Sequence, residues 1–292
     1  MEGAGGVAQP GLTQTLETPS GKGRGDENFP VGSWLIPRDL RRHVHAFYRF
    51  AREADDIADN PHLAAADKVR RLDRMGEVLD GARGDDAPAA SAMRASLHET
   101  GVTSQHCHDV LRAFRLDATK LRYRDWDDLM EYCRYSAAPV GRQLLDLHGE
   151  ERATWPSSDA LCSALQVLNH LQDCAADYRA LDRVYLPEPY LAECGSSVAE
   201  LGAPRSSAGL RRVIDRLLDG TEALIATAQE LPPAVQSPGL RRECGVIVSL
   251  AERLARRLRR GDPLAERVKL SGGDFVAAAI LGIWRGRRWL RV

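Results

Sequence analysis

Alternating runs of β-branched residues are almost absent from this 292-residue chain. Their scarcity speaks against a sheet protein of any topology. Paired C-x-x-C cysteines are absent too: Cys107, Cys133, Cys162, Cys174, Cys194 and Cys244 stand apart. Neither a zinc site nor a thioredoxin-like centre is therefore expected. Residues 1–25 are Gly-rich and polar and hold no apolar h-region, so no secretory leader is read there. Reduced thiols and a cytoplasmic location are the matching expectations. The longest apolar run, Phe275 to Trp284, falls short of the about 20 residues that a membrane-spanning helix needs. An excess of one charge is also lacking. A net charge of −1 argues against nucleic acid as a partner. No G-x-G-x-x-G element follows a strand, so a dinucleotide fold is not indicated.

What is present is helical period, almost throughout. The apolar pattern predicts helices over about 38–59, 64–82, 87–99, 103–122, 125–148, 158–179, 209–230, 238–260 and 273–290. Asp125 with Asp128 resembles a capping pair, Ser158 after Pro156 can cap a helix, and Gly261-Asp262-Pro263 can end one. Residues 1–25 read as a disordered tail and 26–292 as one all-α domain. No repeat is visible, and the best linker candidate, around 187–208, is modest.

One stretch breaks the pattern. In AREADDIADN (51–60), Asp55, Asp56 and Asp59 follow an apolar helical segment. Val44, Tyr48, Ala51 and Asp55 step by four, three and four, which places them on one face. Asp59 lies one turn beyond Asp55, and Arg52 stands three residues before it. Burying an unpaired carboxylate costs several kcal/mol even after relaxation, so a buried pair needs a positive partner. Mg²⁺ is the natural candidate, because hard cations take carboxylate oxygens and keep positions for phosphate. Taken alone, the segment also fits a solvated acidic helix end.

A second segment, LNHLQDCAADYRALDRVYLPE (168–188), changes the balance. Asn169, Asp173 and Asp177 are spaced four apart and border the apolar stripe of Leu161, Leu165 and Leu168. Arg183 and Tyr185 follow at the helix end, where a diphosphate could be gripped. Helical bundles build metal sites from carboxylates on facing helices. Two such helices over an apolar cavity suit a substrate with a diphosphate head and a hydrocarbon tail.

These two aspartate-rich motifs, the Arg52-x-x-Asp55 pairing and RVYLPE (183–188) resemble the squalene/phytoene synthase family over roughly residues 26–290. The resemblance implies an all-α isoprenoid synthase bundle with a central apolar cavity. It implies Mg²⁺ ligands at Asp55, Asp59, Asn169, Asp173 and Asp177, with Asp56 supporting them or facing solvent. Arg52 and Arg183 would hold the diphosphate, while Tyr48, Tyr132 and Tyr185 would line the upper cavity. Phe29 would pack on the prenyl chain. Four of the aspartates (Asp55, Asp59, Asp173 and Asp177) together with Tyr132 are the catalytic candidates. Simple core packing is the competing reading for the rings.

Within the family, three stretches resemble the hydroxysqualene synthase branch: ENFPVGSWLIP (27–37), YCRYSAAPVGRQLLDLHG (132–149) and NHLQD (169–173). That branch implies conversion of presqualene diphosphate and water to hydroxysqualene and diphosphate, in squalene and hopanoid biosynthesis, without NADPH. Gln172 stands where condensing members usually carry Arg, and Asp26, Glu27 and Asn28 precede Phe29. Less positive charge there would suit one diphosphate rather than two. Head-to-head condensation of two prenyl diphosphates is the alternative, and a catalytically silent scaffold is the alternative of another class.

One spacing departs from the family. Five residues, Tyr178 to Asp182, separate Asp177 from Arg183, one more than usual. The extra residue is expected to turn Arg183 away, with Arg179 as a substitute. Pro139 should kink the 125–148 helix, and the histidines fit no zinc pattern. At the C-terminus, FVAAAILGIWRGRRWLRV combines an apolar run with Arg, Trp284 and Trp289. It reads either as a peripheral membrane contact or as a closing helix with a basic end.

Overall fold

A computed structural model describes residues 36–82, 84 and 86–285. Phe29, the tail, the 27–35 stretch and Trp289 lie outside the described residues, as does the side chain of Trp284. Among the described residues every regular element is helical.

Two apolar cores organise the described residues. The first gathers α1 (Arg38–Asp59), α2 (Ala65–Leu79), α3 (Pro88–Thr100) and α4 (Gln105–Asp117). Phe47, Phe50, Ala54 and Ile57 of α1 meet Leu72 and Met75 of α2, Met93 of α3 and Leu111 of α4. The second forms around α7 (Trp155–Leu181), flanked by α5 (Trp126–Ser136), α6 (Ala138–Leu147), α9 (Ala208–Ala228) and α11 (Pro238–Arg260). Leu161, Val167, Leu168 and Leu171 of α7 pack with Leu210, Ile214 and Leu217 of α9 and with Val248 and Leu254 of α11. Each such aliphatic side chain contributes about 1.5–3 kcal/mol when fully buried. Short helices α8 (Glu188–Glu193) and α10 (Leu231–Ala234) join these elements, and α12 (Gly272–Arg285) lies on α11. The two cores meet where α4 touches α5 and α6, and where α1 touches α6.

Several expectations change. The segment 125–148 is two helices, α5 and α6, separated at Ala137. Pro139 sits in the first turn of α6, where its missing N–H leaves no bond unmade. Helix α7 begins at Trp155, earlier than predicted, because Pro156 opens the helix instead of preceding it. Ser158 is therefore a buried interior residue, not a cap. Asp125 does cap α5: its carboxylate accepts from the Asp128 N–H at 2.8 Å. The stretch 187–208 is no linker, since Leu191 and Leu201 are buried in the second core.

Candidate functional site

The aspartates of α1 sit one position off the predicted face. The buried side of α1 runs through His43, Phe47, Phe50, Ala54 and Ile57, whereas Val44, Tyr48, Ala51 and Asp55 are half-buried along its border. One residue is 100° of helix, enough to lift Asp55 and Asp59 from the core to its rim. Asp56 is the buried member, and does not face solvent. Arg52 serves both neighbours, with Nη1 3.4 Å from Asp55 Oδ2 and Nε 3.4 Å from Asp56 Oδ1.

Helix α7 carries Asn169, Asp173 and Asp177 on successive turns, all half-buried. Its end solves the spacing problem. Asp182 takes a left-handed conformation, φ 50°, which an Asp tolerates better than most residues. Arg122 donates to the Asp182 carboxylate at 2.7 Å and holds the turn. The extra residue is absorbed there, and Arg183 points inward, 6% exposed, while Arg179 faces solvent. The expectation that Arg183 turns away is overturned.

Arg183 joins the two cores. Its Nη1 donates to Asp59 Oδ1 at 3.0 Å and its Nη2 to the Asp117 backbone carbonyl at 2.9 Å. Asp117, the last residue of α4, was not read as a site residue. It is fully buried, and Tyr132 donates to its Oδ2 at 2.9 Å. Tyr185 donates to its Oδ1 at 3.4 Å. Burial pushes the Asp117 carboxyl up to about 6, against the opposing pull of Arg183 and Tyr132. Burial alone would lower the Arg183 pKa, but Tyr185, Asp117 and Asp59 outweigh it and keep the guanidinium charged.

The tyrosines form a ring cluster around this network. Tyr123 stacks on Tyr185 with centroids 5.4 Å apart, and Tyr132 meets Tyr123 edge-on at 5.6 Å. His170 stacks on Tyr185 at 3.3 Å. Burial holds its imidazole neutral, with a pKa lowered to about 3, and Arg183 adds to the effect. Burial likewise raises the Tyr132 and Tyr185 hydroxyls, so both remain hydrogen-bond donors. Lys68 of α2 stands near Asp59 and Arg183, and burial lowers its pKa.

Gln172 is buried beneath the loop after α11. Its amide donates to the Val268 carbonyl at 2.5 Å.

Among the described residues no three His, Cys, Asp or Glu side chains converge tightly enough to cage a metal. The donors instead occupy two helices, a half-buried pair on α1 and a half-buried trio on α7. That set fits Mg²⁺, which is usually held by one or two carboxylates together with phosphate oxygens.

The sequence profile of squalene/phytoene synthase matches residues 22–274. The hydroxysqualene synthase of Rhodopseudomonas palustris is 46% identical over 268 residues, covering 92% of this chain and 91% of that protein. The hydroxysqualene synthase of Zymomonas mobilis is 44% identical, covering 89% and 90%. Squalene synthase HpnC from Alicyclobacillus acidocaldarius superposes with a TM-score of 0.71 at 34% identity, over 81% of this chain and 90% of that one.

Proposed function

The chain belongs to the squalene/phytoene synthase family, and from that premise we propose that it converts presqualene diphosphate and water to hydroxysqualene and diphosphate. The observation that carries this reaction is the 46% identity to a hydroxysqualene synthase across 92% of the chain.

The residues divide the work by position. Arg52 at the rim and the buried Arg183 behind it would bind the diphosphate. Asp55 and Asp59 from α1, with Asn169, Asp173 and Asp177 from α7, would hold Mg²⁺. Bound there, the ion would neutralise charge on the leaving diphosphate. The C–O bond breaks with both electrons going to diphosphate. The cyclopropylcarbinyl cation rearranges, water adds through oxygen, and one proton leaves. No hydride is consumed, so NADPH has no part in the balance. Tyr132, Tyr185 and Tyr48 would present ring faces and hydroxyls near the cation. Phe29 is proposed to pack on the prenyl chain.

Head-to-head condensation of two prenyl diphosphates is the second reading. It draws on more distant relatives such as the 15-cis-phytoene synthase of Paracoccus sp., 29% identical. Product analysis separates the two. Purified protein with Mg²⁺ should form hydroxysqualene from presqualene diphosphate, with or without NADPH. Asp55→Ala or Asp173→Ala should abolish turnover and leave the far-ultraviolet helical signal intact. Presqualene diphosphate formed from farnesyl diphosphate would favour condensation, and activity surviving both substitutions would remove the metal assignment.

A further inference from the structure

Capture of a cation by water requires a water that is held in place, in a cavity that otherwise excludes it. The tyrosine hydroxyls of the network are already committed, since Tyr132 and Tyr185 both donate to the buried Asp117. Asn169, Asp173 and Asp177 are assigned above to Mg²⁺. Another polar side chain shares their face of α7. Gln166 stands three residues before Asn169 and seven before Asp173, spacings that put all three on one side of a helix. It is half-buried. Closer to the N-terminus of α7 the face is shut by α6: a Cβ on Gly141 would collide with Ser158 Oγ and lie 2.7 Å from Cys162 Sγ.

Gln166 is also oriented in advance. Its Nε2 donates to His170 Nε2 at 3.1 Å, and its Oε1 accepts no bond among the described residues. The His170 ring is held on both sides, stacked on Tyr185 with centroids 3.3 Å apart and tilted against Tyr132 at 6.0 Å. The neutral ring offers its Nε2 lone pair to the amide. An amide is planar, so fixing one N–H fixes the direction of its carbonyl oxygen as well. Along the helix axis Gln166 lies about 4.5 Å from Asn169, between the Mg²⁺ donors and the closed crossing of α6.

Resting on the reaction put forward above, we infer that Gln166 Oε1 holds the capturing water and that His170 is the residue that positions it. Once the C–O bond of the substrate has broken, the water oxygen gives an electron pair to the cationic carbon and a new C–O bond forms. The proton shed by that adduct passes to the departed diphosphate, a base released in the same cavity. Without a held water the cation discharges by losing a proton from carbon to the same base, which leaves a hydrocarbon. Gln166 and His170 therefore set which product leaves the site, after the ionisation is complete.

The test gives presqualene diphosphate and Mg²⁺ to the full chain and to Gln166→Leu, His170→Phe and His170→Gln, and quantifies diphosphate and organic products together. Leu approximates the volume of Gln without its amide, and Phe keeps a stacked ring without the acceptor. In both, hydroxysqualene formed per diphosphate released should fall about tenfold, the worth of one hydrogen bond, with hydrocarbon making up the difference. His170→Gln restores an acceptor and should return most of the alcohol. Nitrogen NMR of the histidine-labelled chain gives a reading apart from turnover: His170 Nε2 should be the unprotonated nitrogen, and its signal should move in Gln166→Leu. Wild-type product ratios in both Gln166→Leu and His170→Phe would overturn this inference alone. A wild-type chain that forms no hydroxysqualene would overturn the reaction beneath it as well. Diphosphate release and alcohol lost in equal proportion would also overturn it, because the pair would then serve ionisation or the fold.

Discussion

At the scale of single residues, Asp117 carries more of the site than its sequence context announces. Tyr132 and Tyr185 hold its carboxylate, and Arg183 takes its backbone carbonyl. Tyr132→Phe removes a hydrogen bond to a group with charged character, at a cost of about 1.5–3 kcal/mol. Urea denaturation at neutral pH should show that loss, and no change in midpoint would mean the bond is not formed. Asp117 and His170 also titrate in opposite senses. Asp117 has a folded pKa of about 6, above its ordinary value. Its stabilising contribution is complete below the ordinary carboxylate range and is lost as pH rises through about 6. His170 is lowered from 6.5 to about 3. Its contribution is complete above 6.5 and is lost as pH falls through about 3. Between about 4 and 6 the two slopes oppose, each at most about 1.4 kcal/mol per pH unit. Asp117→Asn should therefore lose stability on acidification across this window, and His170→Gln should gain it. Denaturation profiles that run parallel to wild type for both variants would contradict the burial of the pair.

At the scale of elements, the seating of α12 on α11 rests on two glycines. A Cβ on Gly282 would lie 2.5 Å from Val246 Cα, and one on Gly245 would lie 2.6 Å from the Gly282 carbonyl oxygen. Backbone atoms cannot swing aside, so Gly282→Ala must push the helices apart, costing about 1–3 kcal/mol. Hydrogen exchange should rise across 272–285 and stay unchanged in α7; uniform protection as in wild type would show that the helices do not touch there. Helices such as α1 and α11 were legible because their apolar period is strong over many turns: 38–59 and 238–260 coincide with the observed bounds. The break at Ala137 was less so, because Pro139 can kink a helix or begin one, and the local pattern suits both. The aspartate spacing on α1 and α7 was legible for the same periodic reason. Asp117 was not, since a single Asp in RLDATK repeats nothing. The dipole's disfavour of a carboxylate in a last turn gave no signal either, because the predicted 103–122 helix runs past Asp117 whereas α4 ends there. Nor could spacing reveal that Asp182 would adopt a left-handed turn and restore Arg183 to the site.

At the scale of the whole molecule, the chemistry-bearing residues lie along the seam between two apolar cores. Asp59 and Asp117 come from helices of the first core, and Tyr132, Arg183 and Tyr185 from segments of the second. Arg183 spans the seam through ion pairs to Asp59 at 3.0 Å and to Asp117 at 3.8 Å. A diphosphate held by Arg52 and Arg183, with Mg²⁺ shared between α1 and α7, would tie the same two halves together. Such a ligand stabilises the folded state by about 2.7 kcal/mol at a hundredfold excess over its dissociation constant. Inorganic diphosphate with Mg²⁺ should therefore raise the melting temperature more than either component alone at matched ionic strength. Asp59→Asn and Arg183→Gln act on opposite sides of the seam, so each should shrink that rise. The two changes together should do little more than one, because a bridge is lost when either end is released. Undiminished shifts in both variants would place diphosphate elsewhere, and additive losses would mean that the two halves bind it independently.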